Sequence, residues 1–166
     1  MAGYWLMKTE PDTFSVDDLV AAGTAGTCWE GVRNYQVRNM LRDNFAIGDW
    51  ALIYHSSCTE PGIYGSMRVI RDGYPDYFAW DPESQYFDPR SNSDNPRWYM
   101  VDVTIDRKFR QPVLLTKLRE TVPLKDMQVL RRGNRLSVTP VTRKQWDTIF
   151  VLANLHATGT KRTARN

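Results

Sequence analysis

Trp29-Glu30-Gly31-Val32-Arg33-Asn34-Tyr35-Gln36-Val37-Arg38-Asn39 runs from a glycine-punctuated loop into an amphipathic helix. Within the helix, Val37, Met40 and Leu41 fall on one face at i, i+3, i+4 spacing and face a core. On the other side Asn34, Arg38 and Arg42 recur every four residues and form a polar, largely cationic row. Trp29 has no periodic apolar partner in the loop, and two readings stand side by side. An exposed indole beside cations suits base stacking, which contributes ~1–3 kcal/mol per base; a buried one is a lid over the core. Asn34 offers an amide donor and acceptor to a base edge, and Arg33 and Arg38 offer charge to phosphate.

On the N-terminal side, Tyr4 to Lys8 reads as an aromatic strand that stops at Glu10-Pro11, because proline lacks a ladder donor and keeps its predecessor out of helix. Ser15 with Asp18 forms a capping box for a helix ending near Gly23. On the C-terminal side, Ile47-Gly48-Asp49 marks a turn into a buried strand, Trp50 to Ser56, and an antiparallel strand follows from Gly62 to Ile70. From Asp72 to Pro96 the chain turns to Asp, Pro, Asn, Ser and aromatics without period and reads as a long surface excursion. Trp98 to Ile105 alternates as a half-buried strand. Pro112 to Leu130 holds short helices broken at Pro123, and Arg135 to Thr139 a brief closing strand. Thr142 with Gln145 caps a last helix whose Trp146, Ile149, Phe150 and Ala153 form a core stripe. Trp5, Trp50 and Trp146 sit in apolar patterns and are expected in the core.

Composition excludes several classes. With 42% hydrophobic and 25% charged residues the chain is neither disordered nor fibrous, and a net charge of +3 permits attraction to phosphate without requiring it. Cations gather at Lys8, Arg33, Arg38 and Arg42, and again from Arg131 through Arg135, Lys144 and the tail. Two cysteines, Cys28 and Cys58, make no disulfide scaffold or zinc ribbon and indicate a reducing compartment. No apolar run approaches the ~20 residues of a membrane helix, and Met1-Ala2-Gly3-Tyr4 has no signal-peptide character. An intracellular, cytoplasmic protein is expected, nuclear in a eukaryote, with a monomer as the expected state.

His55-Ser56-Ser57-Cys58 is the other polar cluster. Neighbouring residues on a strand point to opposite faces, so His55 and Ser56 form no dyad, and a His55–Cys58 pair lacks a third member. No metal site is expected from His55, Cys28, Cys58 and His156, and no phosphate loop or dinucleotide fingerprint supports a cofactor.

The motifs Tyr4-Trp5-Leu6-Met7-Lys8-Thr9-Glu10-Pro11, Trp29 to Asn39, Tyr54-His55-Ser56, Gly62-Ile63-Tyr64-Gly65, Tyr74-Pro75-Asp76, Arg135-Leu136-Ser137 and Pro140-Val141-Thr142 occur in the order of the EVE domain family, which this chain resembles from about Tyr4 to Leu155. The resemblance implies an α+β, PUA-like fold: a small curved β-barrel surrounded by short helices, related to YTH and ASCH domains. It would occupy residues 1–157, with 158–166 a flexible basic tail. The implied role is a non-catalytic reader of DNA or RNA that holds a single base, modified or unmodified, in an aromatic pocket. By that comparison Trp29 stacks the base. Asn34, Ser56 and the strand near Thr9 read its edge, and Tyr35 and His55 close the wall. Lys8, Arg33, Arg38 and Arg135 meet phosphate, with Ser57 and Ser137 nearby, and Trp80 or Trp98 completes a cage. Ser57 stands where the family more usually carries Asn, which removes an amide donor. The alternatives are an enzyme on the same scaffold acting on a nucleobase or RNA-related substrate, and a peptide-binding groove.

Overall fold

The computed structural model describes residues 2–154. Strands β1 (Tyr4–Thr9), β2 (Thr27–Cys28), β3 (Trp50–His55), β4 (Gly62–Pro75), β5 (Tyr99–Leu114) and β6 (Val138–Pro140) form one sheet in the order β2-β5-β4-β3-β1-β6. The pairing of β1 with β3 is parallel and the others are antiparallel. Helices α1 (Val16–Ala22), α2 (Tyr35–Asp43), α3 (Leu115–Glu120) and α4 (Arg143–Leu152) cover it. This is the α+β, PUA-like architecture expected from the resemblance.

The sheet carries a core on each face, which period-2 geometry explains. In β1, Trp5 and Met7 join one cluster and Leu6 the other; in β3, Ala51 and Ile53 divide from Leu52 and Tyr54 in the same way. The first face takes α1 and α2 through Val16, Leu19, Val37 and Leu41, and the second takes α4 through Trp146, Ile149 and Phe150. Both expected capping boxes form, Ser15 with Asp18 and Thr142 with Gln145. The Trp146, Ile149, Phe150 and Ala153 stripe is buried throughout. Trp5 is buried too, stacked on Phe45 with ring centres 4.3 Å apart and donating its indole N–H to Asp49. Trp50 is only partly buried, with the Arg68 guanidinium over its ring.

Three elements differ from their sequence pattern. β5 runs well past Ile105 to Leu114, because β4 offers partners along its whole length, with Gly62 opposite Leu114. The pairing carries register shifts that bend the hairpin, and bulges supply that curvature. The closing strand starts at Val138, because Asn134 Oδ1 accepts the Leu136 N–H and holds the preceding residues in a turn. The excursion after Asp72 is also tied down. β4 continues to Pro75, a 3-10 turn at Tyr77–Trp80 follows, and the Asp88 N–H returns to the Ala79 carbonyl at 2.9 Å. The basic stretch 158–166 lies outside the described residues.

Candidate functional site

β1 ends beside the loop between β2 and α2, and a cleft of about 510 Å³ opens between them. That volume suits a small ligand, since such sites span ~300–1,000 Å³. Lys8, Thr9, Phe14, Trp29, Asn34 and Tyr86 define its character; Glu10, Thr13, Thr27, Cys28, Glu30, Gly31, Val32, Arg33, Gln85 and Ser137 complete the lining.

Trp29 is buried, as the lid over the core would be, and its indole also borders the cleft. It is only 8% exposed and packs into the first core, with Phe14 edge-on at 5.9 Å, yet it lines the cleft. Its backbone N–H donates to the Val101 carbonyl at 2.7 Å, which fixes the loop to β5.

Tyr86, delivered by the excursion, joins the lining. Its seat is made by Gly31, where φ is 86° and a Cβ would lie 2.5 Å from the Tyr86 ring, so only glycine fits. Beneath them lies a charged clamp. Asp76, fully buried, accepts from the Gly31 N–H at 3.0 Å and from Arg33 Nη1 at 3.0 Å through one oxygen, and from the Phe78 N–H at 3.0 Å through the other. Arg33 also donates to the carbonyls of Val32 at 2.8 Å and Tyr86 at 2.6 Å. All three guanidinium nitrogens are thus engaged inside the protein, and Arg33 clamps the loop to the excursion.

The cleft offers both hydrogen-bonding signs. Lys8 contributes an ammonium, and burial lowers its pKa from the ordinary lysine value. An arriving anion restores what burial removed and is favoured for that reason. Asn34 caps α2 with Oδ1, which accepts the Val37 N–H at 3.1 Å, and leaves its amide N–H groups for a ligand. The Thr9 hydroxyl is committed to the Phe14 carbonyl at 2.8 Å. Glu10, Glu30 and Gln85 supply acceptors. Burial, reinforced by Glu30, pushes the Cys28 thiol up to about 12, so it stays protonated.

Six of the twelve residues expected at the site therefore meet here: Lys8, Thr9, Trp29, Arg33, Asn34 and Ser137. The other six lie outside the cleft. His55 is turned into the protein, where Nε2 accepts the Val16 N–H at 3.1 Å and the ring stacks on Tyr64 at 4.0 Å. The Ser56 N–H is tied to the Thr9 carbonyl, and Ser57 sits exposed in a left-handed turn at φ 53°. Tyr35 and Arg38 point outward from α2, and Arg135 is exposed elsewhere. Neither Trp80 nor Trp98 completes a cage; the aromatic from the excursion is Tyr86. Nothing in the local sequence distinguishes Tyr86 from its neighbours, although Tyr74-Pro75-Asp76 marks the clamp that seats it.

His55 makes stability depend on pH. Burial lowers its pKa below 6.5, with Asp17 opposing weakly, and the protonated ring can no longer accept from Val16. The unfolded chain takes up this proton near pH 6.5 and the folded chain only at lower pH. Stability is thus full above the unfolded value and is lost as pH falls through the folded one. The thermal midpoint is expected to drop between about pH 7.5 and about pH 5.5, with a shallower slope in His55→Asn.

A mixed sheet with a core on each face and a polar, aromatic cleft at the end of β1 make this a PUA-like domain. The chain belongs to the EVE domain family, whose model matches residues 3–152. Human thymocyte nuclear protein 1 is 39% identical over 170 residues, covering 92% of this chain and 74% of that protein. The structure of human THYN1 in complex with 5-methylcytosine-containing DNA superposes with a TM-score of 0.83 at 39% identity, over 92% of this chain and 98% of that one. A Pseudomonas syringae protein gives a TM-score of 0.86 at 43% identity, over 90% of this chain and 99% of that one. An ASCH protein from Zymomonas mobilis shares the fold alone, with a TM-score of 0.52 at 12% identity, over 90% of this chain and 98% of that one. Among the described residues no helix is long and apolar enough to cross a membrane, and no His, Cys, Asp and Glu cluster is disposed to hold a metal.

Proposed function

We propose that this protein is a non-catalytic DNA reader that takes one modified base, of the 5-methylcytosine kind, into the cleft between β1 and the β2–α2 loop. The observation that carries the reading is the cleft itself, with an indole, a tyrosine and a half-buried ammonium lining about 510 Å³. A flipped base needs stacking on its face, hydrogen bonds to its edge and a cation for its phosphate. Trp29 and Tyr86 serve the face, Asn34, Glu30 and Ser137 the edge, and Lys8 the phosphate. The related human THYN1 complex with 5-methylcytosine-containing DNA supports the same class of ligand.

An enzymatic role is disfavoured by what holds its candidate histidine. His55 has its acceptor nitrogen occupied by the Val16 N–H. A reader of this kind acts in the cytoplasm or, in a eukaryote, the nucleus.

Anisotropy titration with methylated and unmodified DNA and RNA, single- and double-stranded, at two salt concentrations tests the reading. The expected result is salt-sensitive binding that prefers the methylated DNA. In Lys8→Ala it weakens tenfold or more, from loss of a charge-assisted bond of ~1.5–3 kcal/mol. Salt-insensitive binding, or none, overturns it.

A further inference from the structure

A second depression of about 360 Å³ adjoins the cleft and shares Arg33, Gln85 and Tyr86 with it. Its own walls are Phe87, Asp88, Arg90 and Trp98. Phe87 is 41% exposed, and the Arg90 side chain 65% exposed. Trp98, itself buried, connects the depression to α2. Tyr35 stacks on Trp98 at 4.7 Å, Arg97 donates to the Tyr35 hydroxyl at 3.1 Å, and Arg38 lies over the Tyr35 ring at 4.8 Å. Arg38 in turn donates to the Arg97 carbonyl at 2.9 Å, which closes the chain of contacts.

The one carboxylate in the depression is already matched. One Asp88 oxygen accepts the Trp98 indole N–H at 2.8 Å, and the other accepts the Arg90 backbone N–H at 3.0 Å and its Nε at 3.3 Å. The Nη groups of Arg90 remain for another partner. Phe87 is the large aromatic left facing solvent beside Arg90, while Tyr35, 47% exposed, already carries Trp98 and Arg38 against its ring. Alternating aromatic faces and cations are what a single strand of nucleic acid requires: stacking platforms for successive bases and charge along the backbone.

We propose that this strip is the binding track for the strand that flanks the captured base: the adjacent nucleotide seats its base on Phe87 in the depression, and the following phosphates lie against Arg90, Arg97 and Arg38. The track rests on the reading of the cleft as a base pocket. The division of labour is specific. The cleft selects the base, and the track supplies affinity that is indifferent to modification and steep in salt.

The test is anisotropy titration of a single-stranded DNA oligonucleotide, with and without one 5-methylcytosine, across a salt series. The proteins are wild type, Arg90→Glu, Phe87→Ala and the triple variant Arg38→Ala/Arg90→Ala/Arg97→Ala, each checked for an unchanged fold by circular dichroism. Every phosphate that the protein ceases to neutralise lowers the slope of log affinity against log salt by ~0.7 on a single strand. The triple variant is expected to bind tenfold or more weakly with a slope shallower by about 2. Arg90→Glu and Phe87→Ala are expected to bind several-fold more weakly. All should keep the wild-type ratio of methylated to unmodified affinity. Unchanged affinity and slope in Arg90→Glu and the triple variant overturn the track while leaving the cleft reading standing. A changed methylation ratio overturns the division of labour. If the wild type itself shows no salt-sensitive binding, the cleft reading fails and the track fails with it.

Discussion

Arg33→Ala should lose ~3–5 kcal/mol of stability, because it leaves the Asp76 carboxylate buried and without its counter-charge. Asp76 is fully buried and Arg33 about a quarter exposed, with a side-chain exposure of 24%, so water screens little of the interaction. For a domain of this size each kcal/mol moves the thermal midpoint by ~2–4 °C, and the expected fall is roughly 6–20 °C. Thermal denaturation of Arg33→Ala, Asp76→Asn and the double variant measures it. The double variant should lose much less than the sum, since the charge and its partner leave together. A fall below about 1 kcal/mol in Arg33→Ala would mean that the pair behaves like a surface ion pair and does not clamp the excursion to the loop.

Trp29→Ala should show two losses that can be read apart. Removing a large aromatic from a core costs ~3–5 kcal/mol. That figure applies because Trp29 is 8% exposed and packed against Phe14 within the first core. The second loss is in binding. Measured at low temperature on the folded fraction, affinity for methylated DNA should fall by the stacking contribution of ~1–3 kcal/mol per base. Trp29→Phe fills more of the core while presenting a smaller ring, so its stability should recover further than its affinity. A Trp29→Ala protein with wild-type affinity would assign the indole to the core alone.

The local signals in the chain are readable because their causes are local. Ser15 with Asp18 and Thr142 with Gln145 close capping boxes within three residues, and Trp5-Leu6-Met7 and Leu52-Ile53-Tyr54 alternate between the two faces of a doubly covered sheet. Half of the site is legible as a run of motifs at the end of β1 and the start of α2. The remainder depends on long-range pairing. Arg33 meets Asp76 across 43 residues and the Tyr86 carbonyl across 53. A polar run that reads as a solvated loop is held by Asp88, whose bonds reach Trp98 and Ala79. His55 illustrates the opposite error. A histidine in a polar cluster looks available, yet the N-terminus of α1 occupies its nitrogen, and only the fold brings Val16 to it. The far half of β5 is hidden for a related reason: a polar stretch pairs as strand when β4 lies beside it.

Entry of a single base into the cleft floored by Trp29 is the central claim. Nitrogen–proton correlation spectra of the labelled protein, recorded as methylated single-stranded DNA is added, report on that directly, because each of the six tryptophans contributes an indole signal. The Trp29 indole and the Lys8 and Gly31 amides are predicted to shift, while the indoles of Trp5 and Trp146, buried in the two cores, stay in place. Binding that moves signals elsewhere and leaves Trp29, Lys8 and Gly31 unchanged would contradict it.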